Sequence, residues 1–298
     1  ISKYAIIRFM TASPRIIITG AKGFIGTKLK SYFNSNGQPI SLLTRDEHSL
    51  FETSSLKDLL VDADIIYHLA GRTAGSGHNP GRSTLLRNNI EATFNLLNAI
   101  KEFCKKPPLL INMSTIHVYD KSVSEVTEDS KLEPSNIYGI TKLSQEYLIR
   151  QATKNGLIRS VIFRASNIYG GGHRPYHNSA ISTFCHNIKK NLAIDLYARG
   201  KATIDLIYID DVIDVLANIS EIEKHNGNIY NLASGQTVTI EEIIDILKKI
   251  SGQKIKTNLI DGEKHSFRII TKKLADAYPN YKNFNLYDGL EKTYRDQL

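Results

Sequence analysis

The chain has 298 residues, 41% hydrophobic and 23% charged, with a net charge of +8. This is the composition of an ordinary globular protein with a full core, and it excludes a disordered or fibrous chain. No stretch reaches the roughly 18 apolar residues of a membrane span. Ile1–Phe9 is too short for a secretory leader, with Met10 offering a natural start. The positive charge is spread along the chain, so neither a membrane nor nucleic acid is an expected partner.

The run Ile16–Ile18 predicts a short buried strand that stops at Thr19-Gly20, and a helix pattern opens near Phe24 and continues through Leu29 and Tyr32. Between them stand Gly20, Gly23 and Gly26. Strand, glycine turn and helix together lay a pyrophosphate on a helix N-terminus. Gly20 permits the tight turn, Gly23 the approach of backbone to phosphate, and Gly26 the close packing of helix on strand. The competing reading is a glycine-rich turn without a ligand. Further strands are predicted at Ile40–Thr44 and Asp64–Ala70. A helix follows over Asn89–Phe103, with Ile90, Phe94, Leu97 and Ile100 on one face, ended by Pro107 and Pro108. A strand at Leu109–Met113, a long helix over Tyr138–Lys154 and a strand at Val161–Arg164 complete an α/β alternation that implies a doubly wound parallel sheet over residues 10–165.

The second half is less regular. Gly170–Gly172 and Arg174-Pro175 mark a loop. A helix is expected over Ile181–Lys190, a strand over Ile204–Ile209, and an amphipathic helix over Thr239–Ile250 with Thr239 as N-cap. Residues 166–298 read as a smaller substrate lobe, with 203–225 returning to the sheet domain. Cys104 and Cys185 have no paired spacing and read as reduced thiols of a cytoplasmic protein. His48, His78 and His265 show no metal-ligand spacing, and no metal is expected.

Tyr138 and Lys142 are separated by one helical turn, so they share a face. An ammonium there favours the phenolate and is expected to lower the tyrosine pKa from about 10, fitting it for proton transfer to a carbonyl or from an alcohol. Two similar spacings, Tyr197/Lys201 and Tyr278/Lys282, are interrupted by Gly200 and Pro279 and carry no such geometry.

These features resemble the extended short-chain dehydrogenase/reductases of the NAD(P)-dependent epimerase/dehydratase family, which act on nucleotide sugars. The resemblance rests on Thr19–Gly26 with its G-x-x-G-x-x-G spacing, His68-Leu-Ala70, Asn89, Ser114-Thr115, Tyr119, Tyr138/Lys142, Arg164–Gly170, Tyr208–Val212 and Tyr230–Leu232. It implies a Rossmann-type domain in which Thr115, Tyr138 and Lys142 are catalytic. Cofactor contacts are implied at Gly20, Lys22, Gly23, Phe24, Ile25, Gly26, Leu69, Ala70, Gly71, Asn89, Tyr138 and Lys142, and sugar-nucleotide contact at Asn167. Family members commonly form dimers through two helices, here Asn89–Phe103 and Tyr138–Lys154.

Arg174–Ala180, Thr183–Ile188 and Tyr208–Val212 are similar to bacterial capsular-polysaccharide reductases, which reduce a 4-keto sugar nucleotide with NADPH. Many of those carry an additional cupin domain, for which this chain is expected to be too short. Dehydratases of the family place an acidic pair where this chain has Ile116 and His117, which argues against dehydration. Ile204 stands where relatives often place a diphosphate-binding arginine, so Arg174, Arg199 or Arg268 is left to hold the diphosphate or to be a surface charge. At the end of the second strand Arg45 favours NADP, while Asp46 keeps NAD open. His117 and His173 are candidates for contact with the sugar and for proton exchange beside its keto group. The expected activity is reduction of a nucleotide-linked 4-keto-6-deoxy sugar. The alternatives are a 4-epimerase that retains NAD, a bifunctional epimerase-reductase, and a non-catalytic dinucleotide sensor.

Overall fold

The computed structural model describes residues 13–44, 48–73, 81–177, 179–218, 226–262, 266–279 and 281–297. Four strands open the central sheet: β1 (Ile16–Thr19), β2 (Ile40–Leu43), β3 (Ile65–His68) and β4 (Leu109–Thr115). Every residue of β1, β3 and β4 is buried. Helices cover both faces of a parallel sheet, so burial runs along these strands without alternation. After β5 (Glu125–Val126) come β6 (Arg159–Ala165), β7 (Asn167–Tyr169), β8 (Ile194–Leu196), β9 (Thr203–Tyr208), β10 (Asn228–Leu232), β11 (Thr237–Thr239), β12 (Thr257–Leu259) and β13 (Arg268–Ile269).

The main sheet has the order β10-β6-β4-β3-β1-β2 and is parallel throughout. The chain leaves β1 towards β2 on one side and returns to β3 on the other. That reversal opens a crevice above the carboxyl ends of β1 and β3, the place where open α/β sheets bind ligands. Strand β9 pairs with β7 and β11 in a separate three-stranded sheet, and β10 is the late strand that joins the main one.

The helices are α1 (Phe24–Ser35), α2 (Lys57–Leu60), α3 (Arg82–Leu85), α4 (Ala92–Phe103), α5 (Ile137–Lys154), α6 (Ala180–Lys189), α7 (Ile209–Ala217), α8 (Ile240–Ser251), α9 (Lys272–Ala277) and α10 (Leu286–Asp296). A π-helical segment, Leu86–Glu91, joins α3 to α4, so the helix predicted from Asn89 starts earlier and is wider at that residue. Helix α7 packs against α1. One hydrophobic core includes Ile16, Ile18 and Tyr67 of the main sheet together with Ile181, Ile243 and Leu290 of the second lobe. The other face of the sheet packs Ile17, Ile66 and Leu110 under α4 and α5.

Helix α8 begins in a reciprocal Thr239/Glu242 capping box and ends at left-handed Gly252. Helix α5 begins at Asn136, whose Oδ1 accepts from the Gly139 N–H at 2.8 Å. A Cβ on Gly139 would lie 2.3 Å from the His117 carbonyl oxygen. This close approach is what brings the start of α5, and Tyr138 with it, against the end of β4.

Candidate active site

Gly20 has φ +70°, and a Cβ there would lie 2.6 Å from the Ala70 nitrogen; on Gly26 it would lie 2.4 Å from the Gly20 carbonyl oxygen. The turn therefore has room for hydrogen only at both points. Helix α1 has Gly23 as its N-cap with no side-chain cap, so its first N–H groups are left for an anion. Above the turn lies a cavity of about 790 Å³. Its lining joins Gly20, Lys22, Gly23, Phe24, Ile25 and Gly26 to Leu69, Ala70, Gly71 and Asn89, and continues to Thr115, His117, Tyr138, Lys142, Asn167, His173 and Arg174. Among the described residues no aspartate or glutamate lines it, whereas Lys22, Lys28, Arg72, Lys142 and Arg174 do. A glycine cradle, an uncapped helix N-terminus and a lining that carries five cationic side chains fit a dinucleotide.

Tyr138 and Lys142 share one face of α5, and Thr115 comes to them from the end of β4. The expectation that Lys142 lowers the Tyr138 pKa is corrected: burial pushes the phenol up to about 12, opposed only by a hydrogen bond with Thr115. Removal from water disfavours the charged phenolate, and that effect is the larger of the two. Burial likewise lowers Lys142 to about 8, with the Glu146 carboxylate working against it. His117 lies edge-on to Tyr138, ring centroids 6.0 Å apart, and burial, then Lys121, lowers it to about 4.

A buried hydrogen-bond chain runs beneath this surface. The Ala70 N–H donates to Thr19 Oγ1 at 3.0 Å, and the Thr19 hydroxyl stands 3.0 Å from His68 Nδ1, to which it donates when the imidazole carries its proton on Nε2. Thr93 donates to the Asn89 carbonyl at 2.7 Å. It therefore accepts from His68 Nε2, at 2.9 Å, and from Gln145 Nε2, at 2.7 Å. His68 is thus neutral with its proton on Nε2, in keeping with burial and then Lys142 driving its pKa to about 3. Lys142 Nζ donates to Gln145 Oε1. Asn89, at the π-helical turn, accepts from the Arg72 N–H at 2.7 Å and donates to Thr141 Oγ1 at 2.9 Å. It thereby ties the segment after β3 to α5. Behind Thr115, Arg164 and Glu146 form a fully buried ion pair at 2.8 Å, to which the Ser114 hydroxyl also donates.

The substrate-side residues separate. Asn167 is exposed to the cavity and donates to the Asp205 carbonyl at 3.1 Å. His173 packs on Phe24, ring centroids 4.5 Å apart, and burial lowers its pKa. Arg268 does not line the cavity: pairing of β13 with β5 carries its exposed side chain to Glu125, 3.6 Å away. Arg199 is also exposed, facing Asp261 at 3.6 Å. Arg45 and Asp46 lie outside the described residues. Lys28, Ser31, Arg72, Ser166 and His177, none of them singled out in the sequence, line the cavity too. Phe24, Thr27, Lys28 and Ser31 recur at helical spacing on α1, and that periodicity would have revealed them.

A profile of the NAD dependent epimerase/dehydratase family matches residues 16–233, and the chain belongs to this family. It is 27% identical over 234 residues to a UDP-2-acetamido-2,6-beta-L-arabino-hexul-4-ose reductase of Pseudomonas aeruginosa; the match takes in 78% of this chain but only 56% of that protein's length. Among solved structures it resembles a UDP-glucuronic acid 4-epimerase from Bacillus cereus in complex with UDP-glucuronic acid and NAD, with TM-score 0.82, 27% identity, and 95% and 98% of the two chains covered. It resembles RMD from Pseudomonas aeruginosa complexed with NADPH at TM-score 0.83 and 25% identity, with the same coverage. Nucleotide-sugar reductases, dehydratases and 4-epimerases all occur among its relatives.

Proposed function

We propose that the protein is a reductase of a nucleotide-linked 4-keto-6-deoxy sugar, using NADPH in preference to NADH, in the synthesis of a surface polysaccharide such as O-antigen or capsule. A single observation carries this reading: Thr115, Tyr138 and Lys142 meet on the wall of the cavity that the Gly20–Gly26 turn opens, placing a proton donor beside the cradle for a dinucleotide. The Gly20–Gly26 turn, Asn89 and Lys142 would hold a dinucleotide, which would supply hydride for the sugar carbonyl carbon. Tyr138 gives its proton to the carbonyl oxygen, so that C=O becomes CH–OH. Thr115 donates a hydrogen bond to the same oxygen, and the Lys142 ammonium stabilises the charge left on the phenol. Arg174 and the exposed face of Lys28 supply positive charge for phosphates. The NADPH preference rests on Arg45 in the sequence.

Incubation with a panel of keto sugar nucleotides, following nicotinamide absorbance and identifying products by NMR, tests the reading. Turnover with no net consumption of cofactor favours the epimerase instead, and tight cofactor binding without turnover of any of them favours a sensor. One further variant is supported by His117, which is neutral and edge-on to Tyr138, and so able to exchange a proton beside the keto group before reduction. Deuterium uptake from D2O next to that carbon, absent in His117→Ala, is its signature.

We further propose that the protein is a cytoplasmic homodimer. Leu86, Phe94, Ile140 and Tyr147 leave large apolar side chains exposed on the segment leading through α4 and on α5, a surface suited to a second copy. Cys104 and Cys185 are free thiols, as a reducing compartment keeps them. Sedimentation of the wild type against Phe94→Asp tests the dimer.

A further inference from the structure

We propose that Gln145 is a positioning residue for Lys142: its side-chain amide, locked by Thr93, holds the lysine ammonium over the cavity and couples it to the glycine turn through His68 and Thr19. The inference rests on the reading that the cavity binds a nicotinamide dinucleotide.

Lysine carries its charge on a flexible stem and needs an external anchor to aim it. Positions 142 and 145 are neighbours on the α5 face, both side chains are buried, and Lys142 Nζ donates to Gln145 Oε1. The orientation of that amide is forced. Thr93 uses its only proton on the Asn89 carbonyl, so Gln145 must present nitrogen to Thr93 and oxygen to Lys142. A flipped amide would set N–H against ammonium and leave Thr93 facing a second acceptor. The same hydroxyl accepts from His68 Nε2, and His68 Nδ1 accepts from Thr19, at the end of the strand that feeds the glycine turn.

Charge makes the choice of an amide meaningful. Among the described residues, Glu146 on α5 and His68 on β3 interact with the Lys142 charge, and Tyr138 lines the cavity beside it. The phenol is protonated and the imidazole neutral. Glu146 is engaged by Arg164 and Ser114. Gln145 therefore directs the ammonium without neutralising it, which a carboxylate at this position would do.

Binding of NADH and NADPH, read by nicotinamide fluorescence across about pH 6 to 10, tests this in wild type, Gln145→Met and Gln145→Glu. Losing the acceptor destabilises the ammonium, so Gln145→Met should weaken binding about tenfold at neutral pH. It should also move the pH at which affinity falls down by roughly one unit. Gln145→Glu should move that midpoint up by a similar amount. Opposite shifts support the proposal. Unchanged midpoints in both variants, even with lower thermal stability, reduce Gln145 to packing and overturn it. If the wild type binds neither dinucleotide, the functional reading itself fails and the proposal with it.

Discussion

Tyr138 sits among groups that pull on its proton in opposite directions. Removal from water holds the proton on, and the Thr115 hydroxyl favours its loss. At neutral pH the first effect wins, and the side chain is a proton donor awaiting a developing alkoxide. Tyr138→Phe keeps the ring and its packing but has no proton to give. It should lower the reduction rate by about 10²- to 10⁴-fold while leaving the dinucleotide dissociation constant within about threefold of wild type, well under the 1.4 kcal/mol of a tenfold change. Fluorescence titration and single-turnover kinetics measure the two quantities, and near-normal turnover would refute the assignment. Lys142 makes a separate prediction. Its pKa, lowered to about 8 by burial, means the ammonium is present below that pH and lost above it. The reduction rate should therefore fall as pH rises through about 8, long before the phenol itself titrates. A rate that stays level up to pH 10 would show that the ammonium has no part in the step.

At the scale of elements, α1 and α8 show how a helix can matter to the site or only to the fold. Gly26 lies on the first turn of α1, where a Cβ would meet the Gly20 carbonyl oxygen at 2.4 Å and Ala21 Cα at 2.8 Å. Both are backbone atoms and cannot swing aside. Gly26→Ala should therefore cost about 1–3 kcal/mol and also weaken dinucleotide binding, because helix and turn are forced apart where the phosphates would sit. Thr239→Ala breaks the capping box of α8, remote from the cavity, and should cost about 1 kcal/mol with binding unchanged. Urea titration paired with cofactor titration separates the two, and equal effects on binding would contradict the placement. The same contrast explains what was legible in the sequence. The glycine turn, the α5 pair and the Thr239 cap are local patterns, readable within a few residues. The π-helical turn at Leu86–Glu91 carries no glycine or proline to announce it, since it is fixed by Asn89 reaching Arg72 and Thr141 across the fold. Arg268 misled for a related reason: only the pairing of β13 with β5 decides where its side chain goes. The lowered pKa assigned in advance to Tyr138 followed from spacing alone, and spacing says nothing about burial.

Across the whole molecule, the buried polar chain that orders the site also makes the fold sensitive to acid. His68 is 1% exposed and held between two threonines, and its pKa drops from 6.5 to about 3 on folding. Between those values the unfolded chain binds a proton that the native state refuses. The stability carried by neutral His68 is thus fully present above pH 6.5 and is lost as pH falls towards 3, at up to about 1.4 kcal/mol per unit. His117, lowered to about 4, acts in the same sense. Asp211 opposes them: burial raises it to about 6, so its contribution is present at low pH and lost as pH rises through that value. The wild-type curve mixes all three, but comparison with His68→Gln isolates one. Glutamine can still donate and accept but cannot titrate. The variant should be less stable than wild type at pH 7, with the gap narrowing steadily as pH falls from 6.5 to about 4. Urea titrations at successive pH values measure that gap. A constant gap would mean that His68 is equally protonated in the folded and unfolded chain. The single proton assignment running from Thr19 to Lys142 would then be lost, and with it the physical link between the glycine turn and the catalytic face of α5.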